Sequence, residues 1–428
     1  MTTKTTEQGI KDLLENTPDN YFITGKAGTG KSTLLTQFRD STNKNVAVVA
    51  PTGIAAINIG GSTIHSFFRL PPKVIETTMI TRNAKIAKIV KHLDTLIIDE
   101  ISMVRADLLD AIDYSLRLHR FNMNEPFGGV QVIFFGDLMQ LPPVIQGKEM
   151  SDYFEENYHG PYFFNAKVFT EFKLKTIELI NVYRQTNQSF ISLLDKIRSN
   201  MANQDVLDSF NKRFQQEDLE DVFQEVNPII LLTTNNYKAG SINIHKLSSI
   251  DKHLYEFRAN IKGDFGENIY PTQEILQLKE GAQIMMLRND TPKQRWQNGT
   301  LGVVSKLNNK YILVNINGKE YKVDTTTWDN IEYRYNRESN KLEEHSKGTF
   351  TQFPIKLAWA ITIHKSQGQT FDNVIIDLDR GSFTHGQTYV ALSRCRTLEG
   401  IYLTQPLTKR DVIVDQKIVD FLKISQHP

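Results

Sequence analysis

The eight residues Gly25-Lys26-Ala27-Gly28-Thr29-Gly30-Lys31-Ser32 constrain this chain more than any other stretch of it. They fit the pattern GxxxxGK[ST], between the apolar run Tyr21-Phe22-Ile23-Thr24 and a helical pattern from Lys31 to Arg39. A glycine-rich loop joining a strand to a helix turns backbone N–H groups and a helix N-terminus toward phosphate oxygens. Gly28, Thr29, Gly30 and Thr33 belong to that cradle, Lys31 is placed to reach the β- and γ-phosphates, and Ser32 to ligate Mg²⁺. Such a loop needs a parallel sheet whose carboxyl edge faces the ligand.

The sheet is visible. Val46–Ala50, Leu96–Ile98 and Val132–Phe135 are continuous apolar runs of the kind that parallel strands show when both faces are covered. Val104 to Leu118 carries apolar residues at helical spacing, so the first third reads as layered α/β. Ile229–Leu232, Ile284–Leu287, Val374–Ile376 and Ile401–Leu403 predict a second parallel unit. Between them, roughly from Pro292 to Phe353, the character changes. Tyr311–Val314 and Tyr321–Val323 flank Asn317-Gly318, a strong hairpin signal, and predict a small all-β insertion.

Composition excludes several classes. Fifty basic against forty-nine acidic side chains leave a net charge of +1, which neither demands nor forbids a nucleic-acid partner. The lone Cys395 excludes an intramolecular disulfide, and no Cys/His cluster has zinc spacing, so no structural metal is expected. Val46 to Phe68 lacks charges and is long enough to span a bilayer. Yet Pro51, Gly53, Gly60 and Gly61 interrupt it, and Asn58, Ser62, Thr63 and His65 are costly in lipid. It reads as strand, loop, helix and turn in a soluble protein without a membrane partner, and Met1 to Asp12 shows no signal peptide.

The remaining chemistry sits at strand ends. Asp99 would hold Mg²⁺ through water, and Glu100 would orient and activate the attacking water; alone, such a pair is more often a helix cap. Gln140, in the Pro-braced loop Gly136–Pro143, would bond the γ-phosphate and that water. Phosphoryl transfer is mostly positioning and charge stabilisation, so a hydrolase wants arginines near the γ-phosphate. Arg184, in Asn181–Gln185, and Arg394, in Ala391–Arg396, are the candidates beyond the first unit.

Taken in order, GKAGTGKST (25–33), APTGIAA (50–56), GSTIHSFF (61–68), IIDEISMV (97–104), GDLMQLPPV (136–144), NVYRQ (181–185), ITIHKSQGQTFDNVIID (361–377) and YVALSRCR (389–396) resemble the motifs of superfamily-one helicases. In detail they are similar to the Pif-type (petite integration frequency) helicases of the RecD-like branch, and Asp107–Gln131, with Pro126-Phe127-Gly128-Gly129, resembles that family's signature. The matches run from Gln8 to Gly400. The resemblance implies a first RecA-like P-loop domain at 1–178 with a wedge element at 66–81. It implies a second at 179–291 plus 349–428, and an inserted small β-barrel at 292–348. It further implies ATP and Mg²⁺ as cofactors, and a DNA helicase moving 5′ to 3′ on single strands and unwinding duplexes. G-quadruplexes, RNA–DNA hybrids, DNA repair and telomere maintenance belong to the family's expectations. Single-stranded and tailed duplex DNA would be the partners of a monomer, in a bacterial cytoplasm or, for a trimmed eukaryotic core, a nucleus or mitochondrion.

By the same resemblance Gln8 reads adenine, and Lys31, Ser32, Asp99, Glu100 and Gln140 take the ATPase roles above. Arg184 and Arg394 match the arginine fingers. Pro51, Thr52, Thr63 and His65, with Thr362, His364, Lys365 and Ser366, match the single-strand track. Gly368 and Thr370 fall where related helicases approach the nucleotide, although a threonine at 370 departs from the acidic residue of more distant relatives. Phe67, Phe68 and Trp296 are candidates for base stacking, against the commoner reading of such aromatics as core. Leu70-Pro71-Pro72-Lys73 reads equally as a strand-separating wedge or a Pro-rich connector. Three other readings stay open: an RNA helicase on the same scaffold, a P-loop small-molecule kinase with the later unit as its lid, and a nucleotide-dependent clamp that does not unwind.

Overall fold

The computed structural model describes residues 6–214, 219–226, 228–290, 293–308, 311–336, 338–339 and 341–426. Six strands, β1 (Tyr21–Gly25), β2 (Val46–Ala50), β3 (Ser62–Thr63), β4 (Thr95–Ile98), β5 (Gln131–Phe135) and β6 (Lys175–Leu179), form one parallel sheet in the order β3-β2-β4-β5-β1-β6. The apolar runs of β1, β2, β4 and β5 are continuous because successive side chains enter different cores. Phe22, Val49, Leu96, Ile98, Val132 and Phe134 pack on one face, where helix Ala106–Arg120 covers them. Ile23, Val48, Ile97, Ile133 and Phe135 pack on the other, under helices Glu7–Asn16 and Lys31–Ser41. The order brings the ends of β1, β4 and β5 side by side, which gathers the loops they lead into.

The second parallel sheet runs Ala360–Thr362, Ile230–Thr233, Val374–Asp377, Ile401–Leu403. Ala360–Thr362, too short to show a pattern, takes the place expected for Ile284–Leu287. That run is instead the antiparallel strand Gln283–Met286, paired with Leu301–Asn308 and Ile355–Leu357. Ile284 and Met286 face the core of the β insertion while Met285 faces the second α/β core, so both sides are apolar and the run mimics a parallel strand.

The antiparallel strands extend from Tyr255 to Leu357, wider than 292–348. A five-stranded sheet and the pair Tyr255–Arg258 with Ile275–Leu278 share one core. Its hairpin turns at Asn317-Gly318, φ +51° and +80°, as the dipeptide predicts. A longer hairpin, Thr326–Asn336 with Lys341–Gln352, reaches the first unit. There the Tyr333 hydroxyl accepts the Val48 N–H at 3.1 Å, and Leu342 N–H donates to Asn45 at 3.0 Å.

The three stacking candidates are core residues. Phe67 packs edge-on against Tyr333, Phe68 is fully enclosed beside it, and Trp296 lies in the insertion's core against Tyr321. Among the described residues no helix is long and apolar enough to cross a membrane.

Helix Gln416–Gln426 also departs from expectation, since it joins the first unit rather than the second. Ile418 enters that unit's core, Phe421 stacks on Phe164 at 4.3 Å and meets Phe163 edge-on, and Lys417 pairs with Glu155 at 2.8 Å. Phe421→Ala is therefore expected to destabilise the first unit by about 2–3 kcal/mol. Phe383→Ala, at an exposed ring, should change stability by less than about 0.5 kcal/mol. Urea unfolding curves of the two variants check this.

Candidate active site and nucleic-acid groove

Gly28 and Gly30 have φ of +79° and +86°, the left-handed conformations that let the loop after β1 close on itself. Gly30 caps helix Lys31–Ser41, leaving Ser32 and Thr33 exposed on its first turn, and Thr29 braces the loop by donating to the Lys26 carbonyl at 2.9 Å. Lys31 Nζ reaches back to the carbonyls of Gly25 and Lys26 at 2.7 and 3.0 Å. Burial lowers its pKa, while the charges of Asp137 and Glu100 oppose that shift.

Asp99 and Glu100 stand at the end of β4. Burial, reinforced by the neighbouring Glu100, pushes the Asp99 carboxyl up to about 7. Burial also raises Glu100, against the pull of Lys31 and Arg394. Glu100 adopts φ +50°, a strained conformation for a non-glycine residue and typical of functional loops. Past β5, Asp137 is buried in an ion pair with Arg198 at 2.9 Å and accepts the Gln140 amide at 3.1 Å. Burial alone would raise its pKa, but Arg198 and Lys31 hold it below the usual carboxylate range.

Segments beyond β6 close over this cluster. The Tyr183 N–H donates to the Gly28 carbonyl at 2.8 Å, and the Tyr183 ring lies 3.7 Å from where a β-carbon on Gly30 would be. Arg184 donates to the carbonyls of Ser393 and Gly368, both at 3.3 Å. Arg394, 1% exposed, bonds the Val390 and Ser366 carbonyls and the Ser393 hydroxyl. Burial lowers Arg184 to about 9 and Arg394 to about 10. Among the described residues neither forms an ion pair. Two guanidinium groups beside a phosphate cradle, Arg394 buried and Arg184 half-buried, with no ion-pair partner among the described residues, call for a polyanion, because a charge withdrawn from water is costly without an opposite one.

Not every expected residue joins the cluster. Gln8 is exposed and its amide donates to Asp12 on its own helix. Thr370 is half-buried, two residues past the Gly368 carbonyl that takes Arg184. Conversely, Asp137, Tyr183, Arg198 and Tyr389, whose hydroxyl accepts the Ala27 N–H at 3.2 Å, take part without having been singled out. Asp137, Tyr183 and Tyr389 lie inside recognisable motif strings. Arg198 ends an ordinary amphipathic helix and carries no local signal.

The single-strand candidates fall in two places. Pro51, Thr52, Thr63 and His65 line one groove of about 560 Å³, closed on its far side by Asn330 and Lys347 of the long hairpin. Thr52 and Thr63 cap the short helices that follow β2 and β3, accepting from Ala55 and Ser66 N–H groups. Thr362 ends the edge strand of the second sheet instead, and His364, Lys365 and Ser366 follow it. Thr362 repeats the capping arrangement by accepting the Lys365 N–H at 3.3 Å. Ser366 differs from expectation: it is fully buried, its hydroxyl donates to Ile363, and its carbonyl takes Arg394. It ties the segment to the arginine cluster rather than presenting a hydroxyl. Burial lowers the pKa of both His65 and His364, so the positive charge along these segments comes from Lys347 and Lys365, while Asp264 and Asp329 also line the groove.

A P-loop on one parallel sheet, faced by arginines from a second, defines a P-loop protein of paired RecA-like units. Comparison with known proteins narrows the class. The model of the PIF1-like helicases matches residues 3–207, that of the 2B domain of DNA helicase Pif1 residues 267–307, and that of the UvrD-like helicase C-terminal domain residues 357–401. The chain is 32% identical over 425 residues to the ATP-dependent DNA helicase Pif1 of Bdellovibrio bacteriovorus, covering 96% of this chain and 90% of that one. It spans 61% and 58% of the zebrafish and human relatives. The crystal structure of Bacteroides Pif1 with ADP-AlF4 superposes with a TM-score of 0.90 at 39% identity, covering 100% of this chain and 97% of that one. The same helicase bound to single-stranded DNA gives 0.70 at 40% identity over 99% and 97%. The chain belongs to the PIF1-like helicase family.

The packing at Gly28 yields a direct test. A β-carbon there would fall 2.4 Å from Arg184 Cβ, so Gly28→Ala must displace the arginine loop. It is expected to slow ATP hydrolysis at least about tenfold, roughly 1.4 kcal/mol, with unchanged circular dichroism. Gly318→Ala, equally left-handed at φ +80° but with open space around it, is expected to leave steady-state hydrolysis unchanged.

Proposed function

We propose that this chain is an ATP-dependent DNA helicase that translocates 5′ to 3′ on single-stranded DNA and separates duplexes ahead of it. The observation that carries this reading is the pair of arginines without an ion-pair partner among the described residues, half-buried Arg184 and buried Arg394, brought from beyond the first sheet to its P-loop. A small-molecule kinase needs no such reach between units, whereas a motor needs hydrolysis to depend on how its units dock.

In this reading Gly28, Thr29, Gly30 and Thr33 hold the phosphates and Lys31 bridges the β- and γ-groups. Glu100 orients the attacking water and takes its proton, and Gln140 bonds that water and the γ-phosphate. Arg184 and Arg394 offset the charge that spreads over the equatorial oxygens in the transition state. Gln8 contacts adenine, with Tyr183 beside it over the loop, and Gly368 and Thr370 close the far side. Ser32 and Asp99 would hold Mg²⁺, which would supply neutralisation of phosphate charge. DNA runs through the groove at Pro51, Thr52, Thr63 and His65 and on past Thr362, His364 and Lys365. Hydroxyls, turn N–H groups and the two lysines there hold phosphates without reading sequence. The chain acts as a monomer on single strands and tailed duplexes, with G-quadruplexes and RNA–DNA hybrids as further substrates and Leu70–Lys73 as the wedge.

Steady-state hydrolysis tests the reading. Single-stranded DNA should stimulate it strongly, and turnover indifferent to DNA would return the weight to a kinase. Lys31→Ala should abolish turnover. Arg394→Ala should lower it by about 10³- to 10⁵-fold while ATP binding survives; normal turnover in that variant would end the two-unit model. Affinity for single strands should fall log-linearly with salt, and a 5′-tailed duplex, not a 3′-tailed one, should be unwound.

A further inference from the structure

The loop Gly136–Pro143 leaves β5 in the first unit, yet most of what holds it comes from elsewhere in the chain. Arg198, at the end of helix Gln188–Arg198, reaches Asp137 Oδ1 at 2.9 Å. That oxygen also accepts the Met139 N–H at 3.1 Å, and Oδ2 takes the Gln140 side-chain amide at 3.1 Å. The Arg198 head lies 6.0 Å from the Tyr389 ring, and among the described residues its buried Nε–H meets no acceptor.

A second grip comes from the loop ahead of helix Gln387–Leu392. His385, 4% exposed, places Nε2 2.8 Å from the Leu138 carbonyl while Nδ1 accepts the Asp415 N–H at 2.9 Å. Those partners require the neutral ring with its proton on Nε2. Gly386 follows at φ +71°, so close that a β-carbon would stand 2.6 Å from both the Met139 and Gln140 carbonyls. Three consecutive carbonyls, 138 to 140, are therefore packed against residues 385 and 386. The short helix that begins there carries Tyr389 and leads directly to Arg394.

We infer that Arg198 and His385 are positioning residues for hydrolysis. Arg198 orients the Gln140 amide through Asp137, and His385 fixes the backbone from which Gln140 projects, so Gln140 is aligned only while the two units are docked. The inference rests on the reading of Gln140 as the residue that bonds the attacking water. It adds a route by which docking reaches that water without either new residue touching substrate. A merely structural role for Arg198 and His385 would lower stability or affinity and leave the chemical step alone.

The test is a pair of double-mutant cycles on the full chain, read as kcat and KM for ATP with saturating single-stranded DNA. Arg198→Ala and His385→Ala should each lower kcat by up to about 10²-fold, the scale of a misplaced catalytic group, with KM changed less than about threefold. Arg198→Ala combined with Gln140→Ala should be no slower than Gln140→Ala alone, and likewise for His385→Ala. His385→Gln, which keeps a donor for the Leu138 carbonyl, should recover most of the rate. Losses that multiply in the double variants, or that reside in KM with kcat intact, would overturn the inference. Should Arg198→Ala not fold, Arg198→Gln in the same cycle decides by the same criteria. Full kcat in Gln140→Ala alone would instead remove the reading of Gln140, an outcome distinct from multiplicative losses.

Discussion

The approach of the Arg184 loop to Gly28 is the constraint on which the rest of the site depends. Only hydrogen fits on that α-carbon, and one N–H···O bond from Tyr183 holds the two segments in contact. From that crossing point Arg184 projects across to the carbonyls of Ser393 and Gly368, and Arg394 lies behind it. A wider separation would let water between the units and weaken every charge interaction in the cleft. The left-handed glycines of the P-loop thus serve twice, to cradle phosphates and to admit a neighbour.

The charges are arranged in tension. Burial raises the acids at the end of β4 and lowers Lys31, Arg184 and Arg394, so neither set is comfortable in its ionised form. Asp137 and Arg198 meet each other directly, as do Lys26 of the P-loop and Asp195. A nucleotide polyphosphate would supply the negative charge that the lysine and the arginines lack. Shifts in both directions within one cleft are the pattern expected of a site tuned for chemistry rather than for stability.

What could be read in the sequence divides along physical lines. The P-loop, Asp99, Glu100, Gln140, Arg184 and Arg394 were legible because each sits at a strand end or in a compact motif, where local spacing and topology carry the information. Gln283–Met286 was misplaced because periodicity reports how many faces are covered and not which direction the partner strand runs. Phe67, Phe68 and Trp296 looked available and are core, since an aromatic's burial is decided by distant partners such as Tyr333 and Tyr321. Arg198 and His385 had no local signal. Their partners, Asp137 and the Leu138 carbonyl, lie far away along the chain and are brought near only by folding.

Helix Gln416–Gln426 has a consequence for how the chain is made. It supplies Ile418 and Phe421 to a core whose other parts are synthesised long before it. At about 5–20 residues per second the ribosome leaves that core incomplete for on the order of ten seconds or more after β6 emerges. Through that interval Phe163, Phe164 and Phe169 lack their cover, and the nascent first unit presents an aromatic surface to its surroundings or to a chaperone. The first unit is thus completed last, and the step that completes it also seats Asp415 against His385 and Tyr162.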